Sequence, residues 1–293
     1  MKRTRNPVIL SCILFLGLTL GVVIGCAQTR NPGAQSVPPL TQASSPAGNH
    51  ESANKSPENP TPPVPSTQPH QKTETFPVIY YHSIKILPKN ELGMPPEEFE
   101  KQIAYLAKQG YHSITTSQLY NYYTNKGSLP THPILITFDD GYMDNYTTAL
   151  PILQKYGFSA TLFLIVGKVG DQDCLTWKEV KELDKAGWDI QSHTLTHPDL
   201  TILSPKTLQH ELADSKATLE KELGTPIHFF AYPSGKHNDT VLKAVKDAGS
   251  LMAFSTLKGW TSETMNPLLV HRVYCYASMG ITEFSRRVSN PNY

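Results

Sequence analysis

Three apolar, strand-like runs in this chain each end in residues that could bind a metal ion or move a proton. Ile134-Leu135-Ile136-Thr137-Phe138 runs into Asp139-Asp140-Gly141. Trp188 to Gln191 runs into Ser192-His193-Thr194-Leu195-Thr196-His197-Pro198, and Ile227 to Ala231 runs into Tyr232-Pro233-Ser234-Gly235. Taken singly these are bland, since Asp-Gly is a common turn pair and two histidines four apart are a common coincidence. Together they bring polar strand ends to one face. One carboxylate and two imidazoles make a three-ligand set for Zn²⁺, or for Co²⁺, Ni²⁺ or Fe²⁺, with a position open to water. The second carboxylate can then act as a base. The His-x-x-x-His pair also raises a metalloprotease, which needs Glu directly after the first His, on a helix. Thr194 occupies that position and Pro198 follows the pair, so that reading is set aside.

The elements that must position these groups alternate in type. Val78-Ile79-Tyr80-Tyr81 reads as a buried strand, and Phe99, Ile103 and Leu106 recur at helical spacing up to Gly110. Helices are expected over 146–156, 176–186 with Thr176 as N-cap, 208–223 closed by Gly224, and about 239–248. Further strands are expected over 160–166, 251–255 and 270–274. This rhythm implies an α/β fold with a mainly parallel sheet, open or closed into a barrel, whose ligands collect at the carboxyl ends of strands.

Length and composition bound the remainder. The chain has 293 residues, with 26 Lys+Arg against 25 Asp+Glu, which argues against a nucleic-acid partner, and 4 Cys, too few for a disulfide-dense scaffold. Lys2, Arg3 and Arg5 precede an apolar run over 8–24 that is short for a membrane span and suits a signal peptide. The ending Val23-Ile24-Gly25-Cys26 resembles a bacterial lipobox, so 1–25 is expected to be a lipoprotein signal and Cys26 the lipidated residue. That places the protein on the extracytoplasmic side of a bacterial membrane, held through its N-terminal lipid. Residues 26–75 are expected to be a disordered linker, since 27–75 hold 10 of the 24 prolines and show no helical or strand period. Residues 76–293 are the expected catalytic domain, monomeric, in which Cys174 and Cys275 are candidates for one disulfide.

Thr137-Phe138-Asp139-Asp140-Gly141-Tyr142 resembles the first motif of the polysaccharide deacetylase domain (NodB homology, carbohydrate esterase family 4). Gly187 to Pro198 resembles its second. The resemblance covers 76–293 and implies a distorted (β/α) barrel that binds one divalent metal, Zn²⁺ first. By motif position Asp140, His193 and His197 would be the ligands and Asp139 the catalytic base. A backbone N–H near Ser234 would help hold the oxyanion. Two departures stand out. The family commonly has Arg two residues before the motif-three Pro, where this chain has Ala231, and the C-terminal Leu-x-His motif is missing after Arg272. Phe230-Ala231-Tyr232-Pro233, together with Tyr81-His82-Ser83 ahead of the Asp-Asp motif, is similar to the poly-β-1,6-N-acetylglucosamine deacetylase subgroup, whose motif order is circularly permuted.

That likeness makes His82 the expected general acid and Arg272 the expected partner of the carboxylates. Tyr142 and Trp260 are candidates to line a sugar groove, while Tyr232 is expected to shape the pocket. The implied activity is metal-dependent removal of N-acetyl groups from an extracellular N-acetylglucosamine polysaccharide, β-1,6-linked by preference. The alternatives are a β-1,4 substrate such as peptidoglycan or chitin oligomers, and an inactive glycan-binding lipoprotein.

Overall fold

The apolar runs become parallel strands, each delivering its polar end to one rim. A computed structural model of the chain describes residues 75–293; the signal-like segment, Cys26 and the linker up to residue 74 lie outside the described residues. The strands are β1 (Val78–Tyr81), β2 (His112–Ser113), β3 (Pro133–Asp140), β4 (Thr161–Leu164), β5 (Asp189–Ser192), β6 (Phe229–Ala231), β7 (Met252–Phe254) and β8 (Val273–Tyr274). The helices are α1 (Pro96–Lys108), α2 (Thr116–Tyr123), α3 (Leu150–Lys155), α4 (Trp177–Lys185), α5 (Pro205–Leu223), α6 (Asp239–Asp247) and α7 (Ile281–Ser289). The sheet order is β7-β6-β5-β4-β3-β1-β8, every pairing is parallel, and β2 also pairs with β3. This is the curled, distorted (β/α) barrel that the resemblance implies.

Period-two alternation sorts the core into layers. Val78, Leu135, Phe163, Phe229, Ala231 and Phe254 form one cluster, joined by Leu119 and Tyr122 of α2. Ile79, Tyr81, Ile136, Phe138, Leu162 and Ile190 point the other way and pack with α1, α3, α4 and α7. Phe230, Tyr232 and Ala253 pack with α5 and α6 in a third cluster.

Two local departures from the sequence reading have physical causes. Ahead of α3 the chain forms a π turn over Asn145–Ala149, just before Pro151, which lacks the N–H a continuous α-helix would use. The strand expected over 270–274 is a ladder only at Val273–Tyr274, because this segment crosses between sheet edges. Val270 bridges Phe254 of β7, and three residues later Val273 pairs with Ile79 of β1. The crossing segment closes the curl, and Arg272 lies within it.

The candidate Cys174–Cys275 disulfide is not formed. Both thiols are free; Cys275 is buried in the core layer beside Tyr81, while Cys174 sits on a rim loop bridged to Tyr142.

Candidate active site

β3 ends in Asp139 and Asp140, while the loop after β5 carries His193 and His197. Asp140 Oδ1 lies 3.6 Å from His193 Nε2 and 3.8 Å from His197 Nε2, and the three donor atoms fall within 4.8 Å of one another. Tetrahedral Zn²⁺ bonds of about 2.0–2.2 Å space their donors roughly 3.3–3.6 Å apart, so the set fits such an ion after a small contraction. His193 Nδ1–H donates to Ala231 O at 2.8 Å, which fixes the tautomer and leaves the Nε2 lone pair for a metal. Burial holds the His193 pKa below its ordinary value, favouring the neutral, ligating form. Asp140 (φ 78°), Thr194 (71°), His197 (62°) and Ser234 (54°) all have left-handed backbone. For β-branched Thr194 this region is especially unfavourable, and such residues cost on the order of 1–3 kcal/mol each unless their surroundings hold them.

Asp139 is buried, and Arg272 holds both of its oxygens. Arg272 Nη1 donates to Oδ1 and Nη2 to Oδ2, each at 2.8 Å. The guanidinium also donates to Thr137 Oγ1 at 3.2 Å and from Nε to Ser255 O at 2.8 Å, and it lies 4.2 Å from the Tyr80 ring centre. Burial alone would raise the Asp139 pKa, but the facing guanidinium outweighs it, aided by His193, and holds the group at about 2. Asp139 is therefore a carboxylate throughout the physiological range. The place left empty by Ala231 is filled, in charge and in geometry, from the far end of the chain.

Asp139, Asp140, His193 and His197 share an open cleft of about 290 Å³ with His82, Tyr80, Leu92, Tyr232, Ser234, Thr256 and Tyr274. His82 follows β1 directly; its Nδ1 is buried with no hydrogen-bond partner among the described residues, and its ring meets those of Tyr80 and Tyr274 edge-on. At Ser234 the chain turns tightly: Gly235 N–H returns to Tyr232 O and Lys236 N–H to Pro233 O. Pro233 has no amide hydrogen, which leaves the Ser234 N–H as the amide of this turn without an acceptor among the described residues. Tyr232 shapes the wall, as expected, with its hydroxyl donated to Leu268 O at 3.0 Å.

Two candidate groove residues lie outside this lining. Trp260 is not on the cleft: it packs against the outer core layer and its Nε1–H donates to Arg287 O, so the indole anchors α7. Tyr142 is also not among the cleft-lining residues, although it neighbours Asp140; burial and that carboxylate push its phenol well above the usual range. Tyr80 and Tyr274 line the cleft and were missed. A signal existed for Tyr80, because it lies two residues before His82 and so faces the same side of the strand.

The polysaccharide deacetylase family model matches residues 126–253. YxkH of Bacillus subtilis is 34% identical over 220 residues, covering 75% of this chain and 78% of that protein. The poly-β-1,6-N-acetyl-D-glucosamine N-deacetylase of Staphylococcus aureus strain MW2 is 32% identical over 212 residues, covering 67% of this chain and 71% of that one. The chain belongs to the polysaccharide deacetylase family. Among solved structures, the Streptococcus pyogenes deacetylase PplD in complex with acetate superimposes with a TM-score of 0.69 at 30% identity, over 73% of this chain and 98% of that one. This polysaccharide N-deacetylase is accordingly a hydrolase of N-acetyl amide bonds, and its family implies a glycan containing N-acetylglucosamine. Its matched core, 126–253, contains Asp139, Asp140, His193 and His197. From outside that core, His82 lines the deacetylase cleft just after β1, and Arg272, ahead of β8, reaches Asp139.

Proposed function

We propose that this deacetylase hydrolyses N-acetyl groups of an extracellular poly-β-1,6-N-acetylglucosamine, using a divalent ion held by Asp140, His193 and His197. The observation that carries the reading is a buried, ionised Asp139 sharing one cleft with a three-donor set of suitable spacing. A bound divalent ion supplies Lewis acidity toward the acetamide oxygen and toward water. Asp139 takes the proton of the attacking water as its oxygen adds to the acetamide carbon. The Ser234 N–H donates to the developing oxyanion. His82 delivers a proton to the departing nitrogen as the C–N bond breaks, giving acetate and a free amine. The β-1,6 preference is supported by the relative that carries that substrate in its name and by the motifs Tyr81-His82-Ser83 and Phe230-Ala231-Tyr232-Pro233. The glycan-binding alternative rests on Ala231 and on the missing C-terminal motif; against it, Arg272 supplies the guanidinium and His82 a histidine on the same cleft. The N-terminal pattern ending at Cys26 supports an exported enzyme tethered by lipid; its catalytic part is proposed to act as a monomer.

Acetate release from matched β-1,6- and β-1,4-linked N-acetylglucosamine oligomers, with and without a chelator, tests this. Release from the β-1,6 set that disappears in Asp139→Asn and on chelation is the expected result. Release from the β-1,4 set alone would overturn the substrate assignment. Chelator-insensitive release would overturn the metal assignment.

A further inference from the structure

His193 and His197 are four residues apart but are not on a helix, so no regular backbone brings their rings together. The segment between them must be held from outside, against left-handed backbone at Thr194 and His197. Its carbonyls are taken from one side: Val166 N–H donates to Thr194 O at 3.2 Å and Gly167 N–H to Leu195 O at 2.8 Å. Two of its amides, those of Leu195 and Thr196, are taken from the other side by one side chain, Glu211 of α5, while Thr194 N–H donates to Ser192 Oγ at 3.3 Å and His197 N–H to Thr194 Oγ1 at 2.9 Å. Glu211 Oε2 accepts from Leu195 N at 3.0 Å and Thr196 N at 2.8 Å, and Oε1 accepts from Thr196 Oγ1 at 2.6 Å. Glu211 is 5% exposed and has no cationic partner among the described residues, so its bonds are spent on this one segment. Three donors from two adjacent residues make a template for a single loop conformation rather than a general tie between helix and sheet. Gly167 completes the vice, because a Cβ there would lie 2.6 Å from Leu195 O.

We infer that Glu211 is a positioning residue for the metal centre: it holds residues 194–197 in the conformation that aims His193 and His197 at one point. The inference rests on the proposed ligand role of Asp140, His193 and His197. Outer groups that orient metal ligands typically set affinity by about 10- to 100-fold. Glu211→Gln keeps the volume but replaces a charged acceptor by a neutral one and turns an NH₂ toward Thr196 Oγ1, whose hydroxyl must then accept instead of donate. Gly167→Ala disturbs the same segment from the opposite side.

The test measures Zn²⁺ affinity by competition with a chromophoric chelator on the full chain, alongside amide hydrogen exchange of the metal-free protein. Tyr81→Phe, which removes a buried hydrogen bond to Gln102 away from the site, serves as the stability control. The expected result is about 10- to 100-fold weaker Zn²⁺ binding in Glu211→Gln and in Gly167→Ala. Faster exchange at Leu195 and Thr196 should accompany it in Glu211→Gln, with unchanged affinity in Tyr81→Phe. Parental affinity in both Glu211→Gln and Gly167→Ala would overturn the positioning role while leaving the metal reading intact. Equal weakening in Tyr81→Phe would reduce Glu211 to a general stability residue. A parent that binds no Zn²⁺ would overturn the ligand assignment first, and this inference with it.

Discussion

Replacing Arg272 by Ala removes the guanidinium from a carboxylate that stays buried. Breaking a buried ion pair from one side costs about 3–5 kcal/mol, because the remaining charge is left uncompensated. For a domain of this size that is a fall in Tm of roughly 6–20 °C. The pH dependence gives a sharper handle. In the parent, Asp139 is held at about 2 against an ordinary 3.8, so its ionisation contributes about 2 kcal/mol above pH 4, lost as pH falls toward 2. Without the guanidinium, burial is opposed far less, and the folded-state pKa moves upward. The variant then gains stability relative to the parent as pH is lowered from neutral. Thermal unfolding of metal-free protein from pH 7.5 to 4.5 reads this difference, together with the shift it causes in His193, whose titration is coupled to Asp139. Turnover at neutral pH should fall by about 10²–10⁴-fold as the base is displaced or protonated, with metal content unchanged. Arg272→Lys keeps the charge without the two-pronged geometry and should fall between the two. A Tm within about 2 °C of the parent, parallel pH profiles and parental acetate release would refute the assignment.

Further expectations concern neighbouring groups. His82→Ala should lower acetate release by about 10²–10⁴-fold with full metal content, and unchanged turnover would reject its acid role. Gly141→Ala should destabilise the fold by about 1–3 kcal/mol in urea unfolding, because φ there is 93° and a Cβ would lie 2.3 Å from Leu164 Cδ1. An undiminished urea midpoint would mean that the turn after Asp140 relaxes freely. Burial pushes the Cys275 thiol up to about 12, so mapped thiol labelling at pH 8 should modify it only after denaturation. Labelling of Cys275 in the native protein at the denatured rate would show that the layer beneath β8 opens.

The parallel sheet and the metal cluster were legible because their signals are local. An apolar run ending in Asp-Asp-Gly, or in a His pair, announces both the strand and its polar tip. Arg272 was harder to read, since nothing near residue 272 shows that its strand closes the curl against β1 and β7. The structure adds this as a long-range contact between Arg272 and Asp139. Helix α7 was not read from the sequence, although Phe284 and Val288 lie on one face, because its packing partners in α1 are far away in the chain. Helix α2 carries a readable start, the capping box of Thr115 and Gln118, that the sequence reading did not use. Trp260 illustrates the opposite error. A tryptophan in a late loop suggests a sugar platform by composition, and its actual role is decided by a hydrogen bond to Arg287 O.

The crossing segment has a consequence for how the chain acquires its structure. Arg272 is synthesised late within this domain, after Asp139 and both sheet edges that the segment joins. Any intermediate lacking residues 270–293 must either leave the Asp139 strand end hydrated or enclose a carboxylate with no counter-charge. Sequential consolidation from the amino end is therefore disfavoured, and the final tightening of the domain waits for its carboxyl end. A single late residue thus links completion of folding to arming of the base, so partially folded chains with a competent centre should be scarce.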